Sequence, residues 1–547
     1  MRSLRSSFGL LVASLLAPTI AGCGGGETPP PGAAAPTPTP IVDDQGKATN
    51  LTCPGAVGCE KAEGDLRVGV SAQKITPTIE TWTDTDQNGK WDEGEAFEDS
   101  NGNGTWDGIW LAGFGSGRAA TGVHDDVWSR VVVLEQGDVS IGMVSLDLVG
   151  YFQQYVLDIR QAAAAEGLDF DHILIASTHV HEARDTMGMW GRDPSNSGID
   201  PAYMDFIVSQ TVLALKEAKA AQKKAKLVVA QAQAPELVND TRRPFVIDQN
   251  ITTLQFQDES GAVMSNVVFW GNHPEALGSD NTLVTSDFPH YLRDTMEAKW
   301  PGAPAVFFNG PLGGLTTTIG IVGCPDFAGM ETCPQGTWER AEYVGKGAAE
   351  AAIAALEGAG TVTSEAPSLS VRRRAFLLPA TNTSLGIAVL SGLMPREVYW
   401  SDGKRVTEAE RPGLGVGLLL NGDVVIATEV NGIHIGPVSI ATVPGELYTE
   451  LWLQKPDGTS FIEKPEGADY TNAVPETPVQ AFLPKESIKV MVNNANDAIG
   501  YIIPLPQWDA VPPYDYGDED NEYGEENSSG FQAGPTITSE FGKMYER

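Results

Sequence analysis

The sequence predicts an α/β domain with a mixed sheet, followed by a β-rich second half. Between residues 66 and 363 short β-rich runs alternate with helical patterns, and from residue 367 β signals predominate. The chain has 547 residues, 41% of them apolar and 20% charged, which is enough to bury a large core. The formal net charge of −36 argues against nucleic acid as a partner, because phosphate binding needs clustered Lys and Arg.

The N-terminus is predicted to be an export signal over residues 1–22. Two arginines precede an apolar run that is too short to span a bilayer as a mature helix, and the run ends in IAGC at residues 20–23. That ending resembles the bacterial lipobox, in which the Cys is acylated; the alternative is an ordinary cleaved secretory signal. Lipid on Cys23 would anchor the protein to the membrane of a bacterial cell envelope. Gly24 stands where inner-membrane retention is associated with Asp, so the outer membrane or cell surface is preferred.

Residues 23–65 are predicted to be a Pro/Gly-rich tether, and residues 66–547 the folded domain. An exported protein folds in an oxidising compartment, where cysteines pair. Sequence proximity therefore predicts two local disulfides, Cys53–Cys59 and Cys324–Cys333. A four-Cys zinc site is the alternative, although neither pair has CxxC spacing.

The individual elements follow from pattern and turn signals. In the first half, β-rich runs and helical patterns alternate; the β-rich runs cover 139–149, 172–178, 225–234, 250–258, 265–273 and 304–310, and the helical patterns 155–167, 201–224 and 339–358. In the second half, β-rich runs cover 369–378, 423–443 and 487–494. Asn431-Gly432 predicts a hairpin turn within the second of these. Residues 514–530 are acidic and Tyr-rich, a composition typical of disorder.

An acidic insert at residues 84–110 matches the template of a calcium-binding loop. Oxygen-bearing side chains stand at loop positions 1, 3, 5, 9 and 12, namely Asp84, Asp86, Asn88, Asp92 and Glu95, with Gly89 at the sharp turn. A partial second copy has Asp99, Asn101, Asn103 and Asp107, with Trp110 where the last carboxylate should be. Structural calcium is the favoured interpretation, and a solvated polar loop is the alternative.

Three β-rich runs end on residues that can bind a metal. ILIASTHVH ends in His179 and His181, which face the same side because alternate residues of an extended chain do. His273 follows NVVFWGN, and Glu446 follows VSIATVPG. Singly, each has an ordinary structural explanation, such as a hydrogen-bonded His or a Glu in the first turn of a helix. Together, two or three His and one carboxylate are the ligand set of catalytic zinc, which indicates a zinc hydrolase.

From about Arg67 to Phe531 the chain resembles the neutral/alkaline (non-lysosomal) ceramidase family. The motifs that carry the resemblance occur in family order: VGVSAQKITPT, GVHDDVWSR, STHVHEARD, GNHPEALGSDN, VPGELYTEL and NDAIGYIIPLPQW. The resemblance implies a ceramidase-type catalytic domain, and it does not extend to the family's C-terminal immunoglobulin-like domain.

The resemblance also implies roles for individual residues. Those implied to hold zinc are His179, His273, Glu446 and Tyr501. Those implied to act on the substrate or to lie near the cleft are His181, Arg242 (with Arg243 a close rival), His124, Tyr501, and Thr316 at the position of the family's serine. The implied reaction is cleavage of the amide bond of N-acyl-sphingosine, or of a related lipid amide, by metal-activated water.

The chain departs from the family pattern close to the site. Thr316 replaces a serine, and Glu182-Ala183-Arg184 replaces Ser-Gly-Pro, which brings charge to a small and rigid segment. These departures keep two alternatives open. One is a zinc hydrolase of another amide or ester, and the other is a non-catalytic surface lipoprotein that retains the fold.

Overall fold

The computed structural model of the chain describes residues 50–321, 324, 332–520 and 523–546. The predicted signal at 1–22, the predicted acylation site Cys23 and the part of the predicted tether up to residue 49 lie outside these residues. Within them, no helix combines the length and the apolar character needed to cross a bilayer. Both predicted disulfides, Cys53–Cys59 and Cys324–Cys333, are present.

The first half of the chain contributes the strands β1 (Asn50–Cys53), β2 (Arg67–Lys74), β3 (Gly122–Val123), β4 (Trp128–Gln136), β5 (Val139–Leu146), β6 (His172–Ser177), β7 (Lys223–Lys224), β8 (Lys226–Gln233), β9 (Asn239–Asp240), β10 (Asn250–Gln257), β11 (Val263–Trp270), β12 (Leu283–Val284), β13 (Ala305–Asn309) and β14 (Thr316–Thr317). The second half contributes β15 (Val362–Ser364), β16 (Leu369–Pro379), β17 (Tyr399–Trp400), β18 (Val424–Ile435), β19 (Val438–Thr442), β20 (Glu446–Leu447), β21 (Ile488–Val492) and β22 (Tyr501–Ile502). The α-helices of the described residues are α1 (Gln153–Ala165), α2 (Pro201–Ala220), α3 (Phe288–Lys299), α4 (Trp338–Glu357), α5 (Thr383–Leu390), α6 (Val416–Leu420), α7 (Thr449–Trp452), α8 (Tyr523–Glu526) and α9 (Ala533–Lys543).

The longer strands form three mixed sheets. Their strand orders are β6-β5-β4-β2-β7, β13-β11-β10-β8-β15 and β1-β16-β18-β19-β21, with β17 added beside β18. Each sheet contains one parallel pair, namely β5–β6, β11–β13 and β19–β21. The predicted α/β class with mixed pairing and a β-rich second half is confirmed. The first half, however, forms two sheets where one was expected.

The sheets are packed together on one face and covered by helices on the other. In β6, Leu174 and Ala176 face an apolar core shared by all three sheets, whereas Ile173 and Ile175 face α1 and α2. The helices α3 and α4 cover the second sheet in the same way. Because β6 is buried on both faces, its sequence is a continuous apolar run rather than an alternating one.

The predicted hairpin turn at Asn431-Gly432 is wrong. The strand β18 continues to Ile435, and the turn into β19 is Gly436-Pro437. A side chain at Gly432 would place its Cβ 2.1 Å from the hydroxyl of Tyr545, so this glycine serves close packing inside a strand.

The disorder predicted for residues 514–530 is also wrong where the structure describes them. Helix α8 lies in this segment, and Asp515 and Glu525 are buried. The acidic composition was misleading because a carboxylate of the segment is neutralised internally: Glu525 accepts a 2.8 Å ion-pair bond from Arg242.

Candidate active site

The candidate site lies where the carboxyl ends of the three parallel strand pairs meet. His179 follows β6 and His273 follows β11. Glu446 and Tyr501 follow β19 and β21, and they face each other in the short parallel pair β20–β22. Ligand sites of α/β sheets form at such carboxyl ends, which explains why residues distant in sequence converge here.

Asn309 at the end of β13 connects these strand ends. Its Nδ2 donates to the carbonyls of Thr178 (2.8 Å) and Asn272 (2.9 Å), and its Oδ1 accepts from the backbone N–H of Asn272 at 3.0 Å. Its own carbonyl accepts from the N–H of Asn493. Thr178 and Asn272 directly precede His179 and His273, so this fully buried side chain sets the spacing of the two imidazoles.

The rings of His179 and His273 are each held by a backbone carbonyl. Nδ1 of His179 lies 2.5 Å from the carbonyl of Val149, and Nδ1 of His273 lies 2.7 Å from that of Thr316. A carbonyl accepts only, so Nδ1 carries the proton and Nε2 keeps its lone pair. His179 also has a φ of +67°, an uncommon conformation for a residue other than glycine, stabilised by its N–H bond to Leu148.

The free ring nitrogens surround the carboxylate of Glu446. Its Oε2 lies 3.2 Å from Nε2 of His273 and 3.5 Å from Nε2 of His179, and the hydroxyl of Tyr501 lies 3.4 Å from Nε2 of His273. Ligand atoms about 2.0–2.2 Å from a tetrahedral zinc ion are separated by roughly 3.3–3.6 Å. The three distances that connect these four side chains are therefore close to the separations between zinc ligands.

A second grouping of donors includes His181. One nitrogen each of His179, His181 and His273 lies within 4.8 Å of the others, and all three residues are buried. The two groupings share His179 and His273. The first grouping offers two nitrogens and two oxygens and the second offers three nitrogens, and imidazole nitrogen suits zinc more than calcium or magnesium.

Burial and the contacts between these side chains shift their pKa values in different directions. Burial lowers the pKa of His179 and holds that of His181 well below its usual value. Burial acts against protonation of His273 too, but the bond to Glu446 and the nearby carboxylates raise its pKa above the usual value. Burial would raise the pKa of Glu446, but His179 and His273 lower it. The lowered pKa values of His179 and Glu446 favour a neutral imidazole and an ionised carboxylate, which are the forms that bind a metal, whereas His273 would give up its proton on binding one.

The loop at residues 112–118 packs against His181. Phe114 meets its ring edge-to-face at 5.1 Å, and a Cβ on Gly113 would lie 2.2 Å from the imidazole Cγ, so glycine is needed for this approach. Arg118 donates to the carbonyls of Ala112 and His181, and it pairs with Glu182 at 2.8 Å.

The two charged side chains of Glu182-Ala183-Arg184 are thus each paired inside the protein. Glu182 pairs with Arg118, while Arg184 lies 3.2 Å from Asp200 and stacks over Tyr203. Neither charged side chain lines the cavity described next. This departure from the family pattern therefore changes residues that pack around the site and leaves the residues that line the cavity unaffected.

An apolar cavity of about 970 Å³, including its open mouth, lies beside the cluster. His179, His181, Glu446 and Tyr501 form its polar end. Much of its wall comes from α5, α6 and the loop after the histidines, with the side chains Met187, Trp190, Leu385, Val389, Met394 and Leu419. Apolar walls that converge on a few polar groups are the usual form of a small-molecule site.

Two further residues named from the sequence, Thr316 and Arg242, lie behind or beside the cluster. Thr316 is fully buried, and its hydroxyl donates to the carbonyl of Gly313, so it meets the site through the carbonyl that holds His273. Arg242 is buried against Glu525 and over the ring of Tyr448, which in turn packs edge-on against Tyr501. Neither lines the cavity.

His124 and Arg243 lie elsewhere. His124 stacks on Trp338 at 3.8 Å and faces Asp125, and neither partner lines the cavity. Arg243 pairs with Asp518 and stacks over Tyr516. The cluster with the cavity thus brings together His179, His181, His273, Glu446 and Tyr501, and leaves the other named residues outside.

Two residues at the site were not named from the sequence. Glu275 is buried beside His181, and its position two residues after His273 in GNHPEAL was the available signal. Tyr523 lines the cavity, with its ring 6.0 Å from that of Tyr501. It falls in the segment whose composition indicated disorder.

The first acidic loop is folded around its own carboxylates. The N–H groups of Asn88 and Gly89 donate to Asp84, and one oxygen of Glu95 accepts from the N–H (2.7 Å) and hydroxyl (2.8 Å) of Thr85. The other oxygen of Glu95 accepts from the N–H of Asp92 at 3.1 Å. Asp84, Asp86 and Glu95 offer oxygens within 4.8 Å of one another, so they could hold an ion.

The second loop repeats these contacts with Glu80 in the place of Glu95. One oxygen of Glu80 accepts from the N–H and hydroxyl of Ser100, at 3.0 Å each, and the other accepts from the N–H of Asp107 at 2.8 Å. Ser100 and Asp107 hold the same loop positions as Thr85 and Asp92. Glu80, a buried residue that precedes both loops, therefore supplies the carboxylate that the loop template expects at Trp110.

Comparison with known proteins supports the fold. No protein-family model and no curated protein matches the sequence. Among solved structures, neutral ceramidase from Pseudomonas aeruginosa matches with a TM-score of 0.60 and 14% identity over 88% of this chain and 74% of that chain. A ceramidase complexed with C2 matches with a TM-score of 0.59 and 14% identity over 88% and 75%. The two proteins share a fold with this chain.

Proposed function

We propose that this chain, which has the fold of the neutral ceramidases, is a zinc-dependent hydrolase that cleaves a lipid amide such as N-acyl-sphingosine. One observation carries the proposal: three zinc-type donors, His179, Glu446 and Tyr501, lie at the polar end of an apolar cavity. The fourth, His273, has its Nε2 3.2 Å from Glu446 and 3.4 Å from the hydroxyl of Tyr501. A metal-binding cluster alone would fit many hydrolases, and the cavity adds the preference for an apolar chain.

His179, His273, Glu446 and Tyr501 would hold the zinc ion. Bound there, zinc supplies a Lewis acid that lowers the pKa of water and polarises a carbonyl. The chain's own residues do the rest. The apolar wall excludes water from the substrate chain and leaves the amide at the polar end, where His181 can take a proton from the attacking water and pass it to the leaving amine.

The proton-transfer role of His181 follows from its environment. Burial and the neighbouring imidazoles keep the pKa of His181 well below the usual value, so uptake of a proton needs an anion close to the ring. Glu275, whose Oε2 lies 3.7 Å from Nδ1 of His181, would offset the charge of the resulting imidazolium. The products are a fatty acid and an amine, which accounts for every atom of the amide and the water.

The test joins metal analysis with turnover. We expect the purified protein to contain about one zinc ion per chain at the cluster and to hydrolyse a fluorogenic N-acyl-sphingosine, and the variant His179→Ala to lose both. His434→Ala, at a half-buried His outside the cluster, is the matched control and should retain both. A wild type without zinc would refute the proposal, and one with zinc but no amide hydrolysis would favour an ester or other amide substrate, or a non-catalytic lipoprotein.

We also propose that both acidic loops bind structural calcium, the second with Glu80 as its last ligand. The matching contacts of Glu80 and Glu95 support this. Equilibrium dialysis should give two calcium ions per chain in the wild type and one in Glu80→Gln. Glu98→Gln, which removes an exposed carboxylate between the loops, is the control and should keep two. Two ions in Glu80→Gln would leave Glu80 without this role.

Finally, we propose that lipid on Cys23 tethers the protein to the bacterial envelope, a prediction from the sequence. Fractionation of cells that express the full chain should place it in the membrane fraction, and Cys23→Ser should release it. Release of the wild type into the soluble fraction would contradict acylation and favour an ordinary secretory signal.

A further inference from the structure

Glu275 is a buried carboxylate whose only role in the proposed reaction is to offset the positive charge of protonated His181. It is 9% exposed, and its Oε2 lies 3.7 Å from Nδ1 of His181. That nitrogen is itself buried and has no hydrogen-bond partner among the described residues. Nδ1 of His179 and of His273 are both held by carbonyls, so His181 differs from them in facing a carboxylate instead.

The carboxylate of Glu275 is fixed from behind. Thr317 donates its hydroxyl to Oε1 of Glu275, which leaves Oε2 toward His181. The neighbouring carbonyl of Thr316 holds His273, so the two-residue strand β14 orients both groups. The backbone N–H of His181 donates to the carbonyl of Pro274 at 3.1 Å, which ties the two loops together.

We propose that Glu275 is a positioning residue that accepts a hydrogen bond from Nδ1 of His181 and so presents the lone pair of Nε2 to the substrate; this rests on the proposed function. A carboxylate on one imidazole nitrogen fixes the tautomer and the orientation of the other. A movement of under 1 Å brings the 3.7 Å separation into the ordinary N–H···O range of about 2.9–3.0 Å. Such bonds commonly tighten when substrate binds.

Kinetics of the metal-loaded enzyme test the role. Glu275→Gln should lower kcat on the fluorogenic amide by about 10–100-fold, with KM within about threefold of wild type and zinc content unchanged. Thr317→Val removes the hydroxyl that anchors Glu275, so it should lower kcat in the same way, and Thr317→Ser should restore it. Thr318→Val is the matched control, because the buried hydroxyl of Thr318 has no hydrogen-bond partner among the described residues. A kcat within twofold of wild type in Glu275→Gln, or equal losses in the Thr317→Val and Thr318→Val variants, would overturn the proposal.

A second measurement does not need turnover. The imidazole N–H proton of His181, assigned by its loss in His181→Gln, should be seen as a hydrogen-bonded resonance in wild type and in Thr318→Val, and it should be absent in Glu275→Ala. Its persistence in Glu275→Ala refutes the pairing. An inactive wild type that shows the Glu275-dependent resonance refutes the proposed reaction while the pairing stands, so the two failures are distinguishable.

Discussion

Replacing Asn309 by Ala should destabilise the whole domain and loosen the metal site. The substitution leaves three buried backbone groups without partners: the carbonyls of Thr178 and Asn272 and the N–H of Asn272. Each unsatisfied buried group costs about 1–3 kcal/mol, so three of them are expected to cost about 3–9 kcal/mol. Urea unfolding followed by fluorescence measures the free energy of unfolding, and competition with a chelator measures zinc affinity, which should fall because Thr178 and Asn272 adjoin two candidate ligands.

Asn493 provides a matched control for Asn309. It is also fully buried at the end of a neighbouring strand, but its side-chain amide has no hydrogen-bond partner among the described residues. Asn493→Ala removes a similar volume without breaking a bond. Equal destabilisation by the two substitutions would refute the account, because it would show that cavity formation rather than the hydrogen bonds sets the cost.

Three further outcomes are expected. Thr316→Ser should leave zinc content unchanged while altering the rate, because the carbonyl holds His273; lost metal, measured by atomic absorption, would contradict this. Burial would raise the pKa of Glu429, but Arg160 and Arg373 hold it far below its usual value. The contribution of ionised Glu429 to the free energy of unfolding is therefore fully present above its unfolded pKa of about 4.3, and it is lost as the pH falls below that value. Glu429→Gln should cost about 3–5 kcal/mol at pH 7 and less at pH 3 by urea unfolding, and a pH-independent difference would be contrary. Acyl chains that extend into the cavity should raise kcat/KM by up to about fourfold per methylene, and Ala380→Phe, which fills the cavity, should flatten that series; an unchanged series would argue against occupation of this space.

The framework was predictable because the sequence marks buried strands and helices directly. The run ILIAS is apolar on both faces and becomes β6, and AEYVGKGAAEAAIAALE becomes most of α4. Three of the four metal-ligand candidates, His179, His273 and Glu446, were predictable because each follows such a run, whereas Tyr501 came from the family resemblance alone. The structure places them together, and the identity of the metal stays a prediction.

What the sequence did not reveal depends on contacts between distant segments. Glu80 stands outside the loop template because its contacts with Ser100 and Asp107 are made across the insert. Glu275 became visible only when β14 placed Thr317 behind it. The turn at Gly436-Pro437 was missed because Asn-Gly is a strong local hairpin signal, and the packing of Gly432 on Tyr545 overrides it.

The wide separation of the candidate ligands, from His179 to Tyr501, has a consequence for biogenesis. A chain that is synthesised or exported from its N-terminus cannot assemble the four donors until the segment after β21 has joined the three sheets. The metal site, and any hydrolysis that depends on it, would therefore form late in folding. An ion at this junction would also cross-link the sheets, adding about 2.7 kcal/mol when free metal exceeds the Kd a hundredfold, so chelation should lower the melting temperature of the domain as one unit.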